Sequence, residues 1–187
     1  MQSEPDPDWL RRADVIRGLR AVDAAGLCYD LVVLPHQMPA ASYAASAVPG
    51  LTLVLDHAGK PPIANGDPDA LGAWTTAIRE FAALPNTTCK LSGLVTEAPP
   101  GARCQAFVPV RDVVLGAFGA ERIMFGSDWP VCLLASDYAG VTALARWLVA
   151  DLSDAERAAV FGATAARVYR IGAGVAEETG AGASPWR

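Results

Sequence analysis

Four short apolar runs, each ending in polar groups and each followed by a helical pattern, constrain this chain more than any other feature. They are residues 28–36 (CYDLVVLPH), 51–57 (LTLVLDH), 86–94 (NTTCKLSGL) and 122–130 (RIMFGSDWP). Runs of this length that are apolar on both faces read as strands of a buried parallel sheet, and parallel neighbours need a crossover helix between them. The intervening segments supply those helices. One is expected from Ala13 to Ala25, with Val15, Ile16, Leu19 and Val22 at helical spacing and Gly26 as its stop. A second starts near Pro39, where proline suits the first turn. Asp67 and Pro68 read as N-cap and first residue of a third, with a buried stripe of Leu71, Trp74, Ile78 and Phe81. A fourth carries Val110, Val113, Val114, Ala117 and Phe118 and ends near Gly119. After the last run, one helix is expected from Asp137 through Trp147, and another opens on the capping box Ser153 to Glu156. The start, MQSEPDPDWLRR, is a proline-broken loop. Residues 1–171 therefore read as one α/β unit, and the Gly/Ala-rich residues 172–187 as a flexible tail.

Composition narrows the partners. The 187 residues are 52% hydrophobic and only 19% charged, so layers of structure or a partner must cover much apolar surface. Net charge is -5 with basic residues scattered singly, which offers no stripe for nucleic acid or an anionic membrane. No apolar run reaches the roughly 18 residues of a membrane span. Cys28, Cys89, Cys104 and Cys132 are never closer than 15 positions, excluding a CxxC pair or zinc knuckle. They read as reduced thiols of a cytoplasmic protein, in keeping with the lack of a signal peptide pattern.

In barrels and open parallel sheets alike, functional groups gather at the carboxyl ends of strands, where loops face one crevice. The first run ends in Pro35-His36, the second in Asp56-His57, the third in Lys90-Leu91-Ser92 and the fourth in Ser127-Asp128-Trp129. Both histidines of the chain thus fall at consecutive strand ends. Imidazole at such a place binds metal or exchanges a proton with a reacting group. Asp128, behind an apolar strand, reads as a general base for water, with capping of the next loop as the alternative. Asp56 precedes His57 and should point to the opposite side, in a supporting role. Thr88, Lys90 and Ser92 share a side by alternation, which aims Lys90 and Ser92 at a substrate oxygen; the alternative for Lys90 is snorkelling out of the sheet. Lys60, in the AGKPP turn at the same mouth, reads first as a solvated loop charge. An open flavodoxin-like sheet is the alternative architecture, but neither GxGxxG nor GxxxxGK[ST] occurs to hold a phosphate.

VLDHAGKP, CKLSGLVTEA and RIMFGSDWPV, in this order and spacing, resemble the second half of the amidohydrolase-related proteins. The likeness is greatest to the sugar-lactonase branch acting on L-fuconolactone and L-rhamnonolactone, and it extends from residue 5 to about 171. It implies a partial TIM (β/α)8 barrel consisting of strands five to eight with their helices. A complete barrel takes about 250 residues, so strands one to four are expected to be missing from this chain. By the same resemblance His36 ends strand five, His57 strand six and Asp128 strand eight. Asp128 would activate the attacking water, while His36 and His57 polarise the carbonyl or, with Asp128, bind one divalent metal such as zinc. The family's HxH pair on strand one has no counterpart, since the chain has no third histidine, so a metal-free centre is the alternative. Lys90 and Ser92 fall on strand seven, Trp129 borders the sugar pocket, and Lys60 is a further substrate contact. The implied function is a hydrolase that opens a small-molecule sugar lactone. A zinc-dependent aromatic-acid decarboxylase of the same fold, and an inactive remnant or interaction module, are the alternatives. Four parallel strands cannot close a barrel, so self-association through the exposed half-barrel face is expected.

Overall fold

The four apolar runs pair side by side in a single parallel sheet, in the order in which they occur along the chain. This is a computed structural model, and it describes residues 2–64 and 66–171. The strands are β1 (Tyr29–Leu31), β2 (Leu53–Leu55), β3 (Thr87–Leu91) and β4 (Ile123–Phe125). Strand order without a reversal is the order of a barrel segment; an open doubly wound sheet reverses direction at its switch point. The flavodoxin-like alternative falls on that point.

Helices α1 (Ala13–Ala24), α2 (Met38–Ala47), α3 (Pro68–Ala82), α4 (Val108–Phe118) and α5 (Tyr138–Leu148) accompany the strands. Neighbours α2 and α3, and α3 and α4, pack against each other. The main core gathers Leu31, Leu53, Leu55, Cys89 and Ile123 from the sheet with Trp74, Ile78, Phe81 and Val114 from the helices. Alternation turns the intervening residues to the other, inner face. Asp30, Val54 and Thr88 form one register row there, and Lys90 pairs with Met124 further up.

Local chemistry sets the helix boundaries much as the sequence suggests. The Asp67 carboxylate accepts the Asp69 N–H at 2.9 Å and the Asp137 carboxylate that of Gly140 at 2.6 Å. Ser153 and Glu156 form both bonds of their capping box. The helix they open is not continuous, however: α6 (Asp154–Ala158) passes through a π turn at Ala159–Ala163 into α7 (Thr164–Val168). Across that turn Val160 and Thr164 are both buried, and Phe161 meets Phe125 with ring centroids 5.2 Å apart. The strands are also shorter than the apolar runs. The first stops at Leu31 because the chain curls into a 3-10 turn at Pro35–Gln37, where the Leu34 N–H donates to Gln37 Oε1 at 2.9 Å. The tail expected over 172–187 lies outside the described residues. No helix among the described residues is long and apolar enough to cross a membrane. The four cysteines are free, Cys89 and Cys132 buried and Cys28 and Cys104 partly so.

Arg122 ties the far end of this assembly together. Its guanidinium donates to Ala82 O at 2.9 Å and Leu84 O at 3.3 Å after α3, and to Ala117 O and Phe118 O at the end of α4. A cation there satisfies carbonyls that the helix ends leave orphaned. Arg122→Met is expected to cost about 2 kcal/mol, the scale of charged hydrogen bonds. For a chain of this size that lowers the melting temperature by about 4–8 °C. An unchanged thermal melt would remove Arg122 from this role.

Candidate functional site

The chain leaves β2 in an uncommon conformation. After Asp56, residues His57 (φ 54°), Ala58 (φ 49°), Gly59 (φ 65°) and Lys60 (φ 55°) are all left-handed. For a non-glycine residue this costs about 1–2 kcal/mol each, so neighbouring contacts must hold the turn. They do so along its length. The His57 N–H donates to Ser92 Oγ at 3.3 Å, the Trp74 indole donates to Ala58 O at 2.9 Å, and the Lys60 ammonium pairs with the Glu97 carboxylate. This geometry revises the expectation that Asp56 and His57 point to opposite sides. Left-handed residues break strand alternation, and both side chains meet partners from β3 and its end: Lys90 for Asp56, Ser92 for His57.

His57 and Asp128 come together. Nε2 of the imidazole lies 3.6 Å from Asp128 Oδ1, and both side chains are largely buried, 19% and 12% exposed. That separation exceeds a direct hydrogen bond, yet a single oxygen can contact both atoms. On the other edge of the ring, Nδ1 lies 3.0 Å from the buried Ser92 Oγ, which can donate or accept there as the ring tautomer requires. Asp128 follows β4 with φ 57°, and its backbone carbonyl accepts the Cys132 N–H at 2.8 Å. Trp129 stands beside it, 64% exposed.

Lys90 reaches a different set of partners. Its Nζ lies 2.7 Å from Asp30 Oδ2 on β1 and 2.7 Å from Asp56 Oδ1, bridging three strands across the inner face. The Tyr169 hydroxyl donates to Asp30 Oδ1 at 2.9 Å, and the Lys90 ammonium lies 5.6 Å from the Tyr169 ring centre. Burial alone would lower the Lys90 pKa, but its hydrogen bond to Asp30 and the closeness of the Asp56 carboxylate and the Tyr169 hydroxyl outweigh it and hold the group above its ordinary value, firmly charged. Burial pushes the Tyr169 phenol up to about 12, so it stays protonated as the donor. Lys90 therefore does not snorkel free of the sheet.

Lys60 departs from its first reading in the same way: it is no solvated loop charge but is mostly buried against Glu97. His36 sits exposed in the turn at Pro35–Gln37, and among the described residues no hydrogen bond or ion pair reaches its ring. The structure joins His57 with Asp128 and Ser92, and leaves His36 outside that group. Accordingly, among the described residues no three His, Cys, Asp or Glu side chains are placed to hold a metal ion. A catalytic zinc takes three protein ligands, one more than the His57–Asp128 pair supplies. Asp30, Glu97 and Tyr169 join the site beyond the residues expected from the sequence. Asp30 carried a usable signal, a carboxylate inside an apolar strand on the face of a buried lysine. Glu97 and Tyr169 carried none.

Parallel strands in barrel order, with reactive side chains at their carboxyl ends, make this a partial (β/α)8 barrel of the kind that serves as an enzyme scaffold. A family model described as Amidohydrolase matches residues 1–171, and the chain belongs to that family. It is 47% identical over 167 residues to an L-fucono-1,5-lactonase of Burkholderia multivorans, covering 85% of this chain and 56% of that protein. An L-fucono-1,5-lactonase of Burkholderia ambifaria is 40% identical, over 91% of this chain and 59% of its own. A solved amidohydrolase of Burkholderia multivorans with bound zinc superposes with a TM-score of 0.85 at 45% identity, over 90% of this chain and 62% of that one. The chain thus spans a little over half the length of the curated relatives it matches.

Proposed function

We propose that this chain carries the water-activating side of a sugar lactonase. The observation that supports it best is the meeting of His57 and Asp128, from the ends of β2 and β4, at 3.6 Å across the inner face. In this reading the Asp128 carboxylate takes a proton from water, and the hydroxide so formed attacks the lactone carbonyl. The tetrahedral adduct collapses by breaking the bond to the ring oxygen. That oxygen receives the proton held by Asp128, and the product is the open hydroxy acid, which at neutral pH ionises to its carboxylate and releases one proton. His57 donates from Nε2 to the oxygen on which negative charge develops, with Ser92 holding the far edge of its ring. Trp129, exposed beside Asp128, offers a flat apolar surface to one face of the sugar. His57 and Asp128 are also the donors this chain brings together for a divalent metal, but with His36 outside the pair they do not complete a three-ligand zinc set.

The kinship to two L-fucono-1,5-lactonases supports this choice of substrate class. Proton release from L-fucono-1,5-lactone, followed in weakly buffered solution, tests it. Saturable hydrolysis above the buffer rate is expected. A rate equal to buffer alone, or carbon dioxide release from a dihydroxybenzoate in its place, would reject it.

A further inference from the structure

The left-handed turn at residues 57–60 aims His57 at Asp128, and it begins just after a largely buried ion pair. Asp56, the last residue before the turn, is held at 2.7 Å by Lys90, which is itself fixed from the other side by Asp30 at 2.7 Å. Asp30 in turn accepts from Tyr169. The lysine thus locks the position of the residue from which the strained turn departs, using β1 and β3 as its anchors.

We infer that Lys90 is a positioning residue for His57, acting through Asp56 and the turn that Asp56 begins. The inference rests on reading His57 as a reacting group, but its test does not require turnover. Lys90 donates a hydrogen bond to Asp30, lies in ion-pair contact with Asp56 and sits beside the Tyr169 ring, an arrangement suited to fixing backbone and little suited to grasping a substrate oxygen. The clamp at the far end of the turn is independent of it, since Lys60 pairs with Glu97.

In Lys90→Met, exchange of the Lys60 amide hydrogen, which bonds His57 O at 2.8 Å, is expected to accelerate about tenfold or more. The His57 imidazole resonances should move, while those of His36, the chain's other histidine, stay in place. Lys90→Arg, whose fork can reach both carboxylates, should restore both signals. Arg111→Met, which breaks pairs with Asp112 and Asp151, should change neither, separating the clamp from general loosening. If Lys90→Met does not fold, Asp56→Asn carries the same test: it removes the charge that Lys90 holds while keeping the shape, and the same His57 shift is expected. Wild-type His57 resonances and Lys60 exchange in either folded variant would overturn the inference. With lactone as substrate, kcat should fall in Lys90→Met and Asp56→Asn with KM little changed, and Lys90→Arg should keep it near the wild-type value. A raised KM with kcat intact would make Lys90 a substrate contact and overturn it too. A wild-type protein that hydrolyses no lactone rejects the reaction assigned above and leaves the resonance and exchange results to decide this one.

Discussion

Asp128→Asn is expected to lower lactone hydrolysis by about 10³-fold, the middle of the range for removing a general base. The substitution isolates chemistry from structure unusually well. Asn has the same shape but cannot take a proton from water. Asp128 has φ 57°, a left-handed conformation that Asn adopts more readily than most side chains, so the backbone after β4 should keep its path. The 2.8 Å bond from the Cys132 N–H goes to the backbone carbonyl of Asp128 and survives the change. Initial rates of proton release, paired with a thermal melt to show that the fold is intact, provide the measurement. A variant that melts like the wild type and hydrolyses lactone within about threefold of it would remove Asp128 as the base, since even weak general-base catalysis contributes about 10²-fold.

Fold and site differ in how far they can be read from residues alone, and the difference has a physical origin. Asp67-Pro68 and Ser153…Glu156 announce helix starts because a cap is a contact between residues two or three apart. The four apolar runs announce a parallel sheet because burial on both faces excludes alternation of polar residues. The site obeys no such short-range rule. Lys90 meets Asp30 from 60 positions away, and only the register of three paired strands places them on one face. His57 was legible as a strand-end residue, but its direction was not. Alternation holds only while the chain remains extended, and it ceases after Asp56, where the left-handed turn begins at His57. His36 shows the converse case: the apolar run reaches almost to it, yet pairing stops at Leu31 and the histidine rides on a surface turn. Strand-end position in the sequence therefore nominated both histidines equally, and of the two only His57 meets Asp128 and Ser92 among the described residues.

The floor beneath His57 yields the second large effect. Gly93, with φ 63°, lies directly against the imidazole: a Cβ added there would stand 2.6 Å from Nδ1, 2.7 Å from Cγ and 2.9 Å from Cβ of His57. The ring has little room to retreat, because Ser92 holds its Nδ1 edge and Trp74 fixes the next residue through Ala58 O. Gly93→Ala is therefore expected to displace His57 by a sizeable part of an ångström, and misplacement on that scale costs about 10²-fold in rate. A left-handed backbone adds its own penalty, about 1–2 kcal/mol for an alanine, which lowers stability whatever the ring does. Gly101→Ala separates the two contributions. Gly101 has φ 75°, but a Cβ there meets nothing within 4 Å, so that variant suffers the backbone penalty alone. Both variants should melt below the wild type, while only Gly93→Ala should shift the His57 imidazole resonances and lose hydrolysis. Equal rates in the two would mean that the reaction does not depend on where the His57 ring sits. A rate loss confined to Gly93→Ala would tie lactone hydrolysis to the 3.6 Å approach of His57 and Asp128, since that approach is what the added methyl group disturbs.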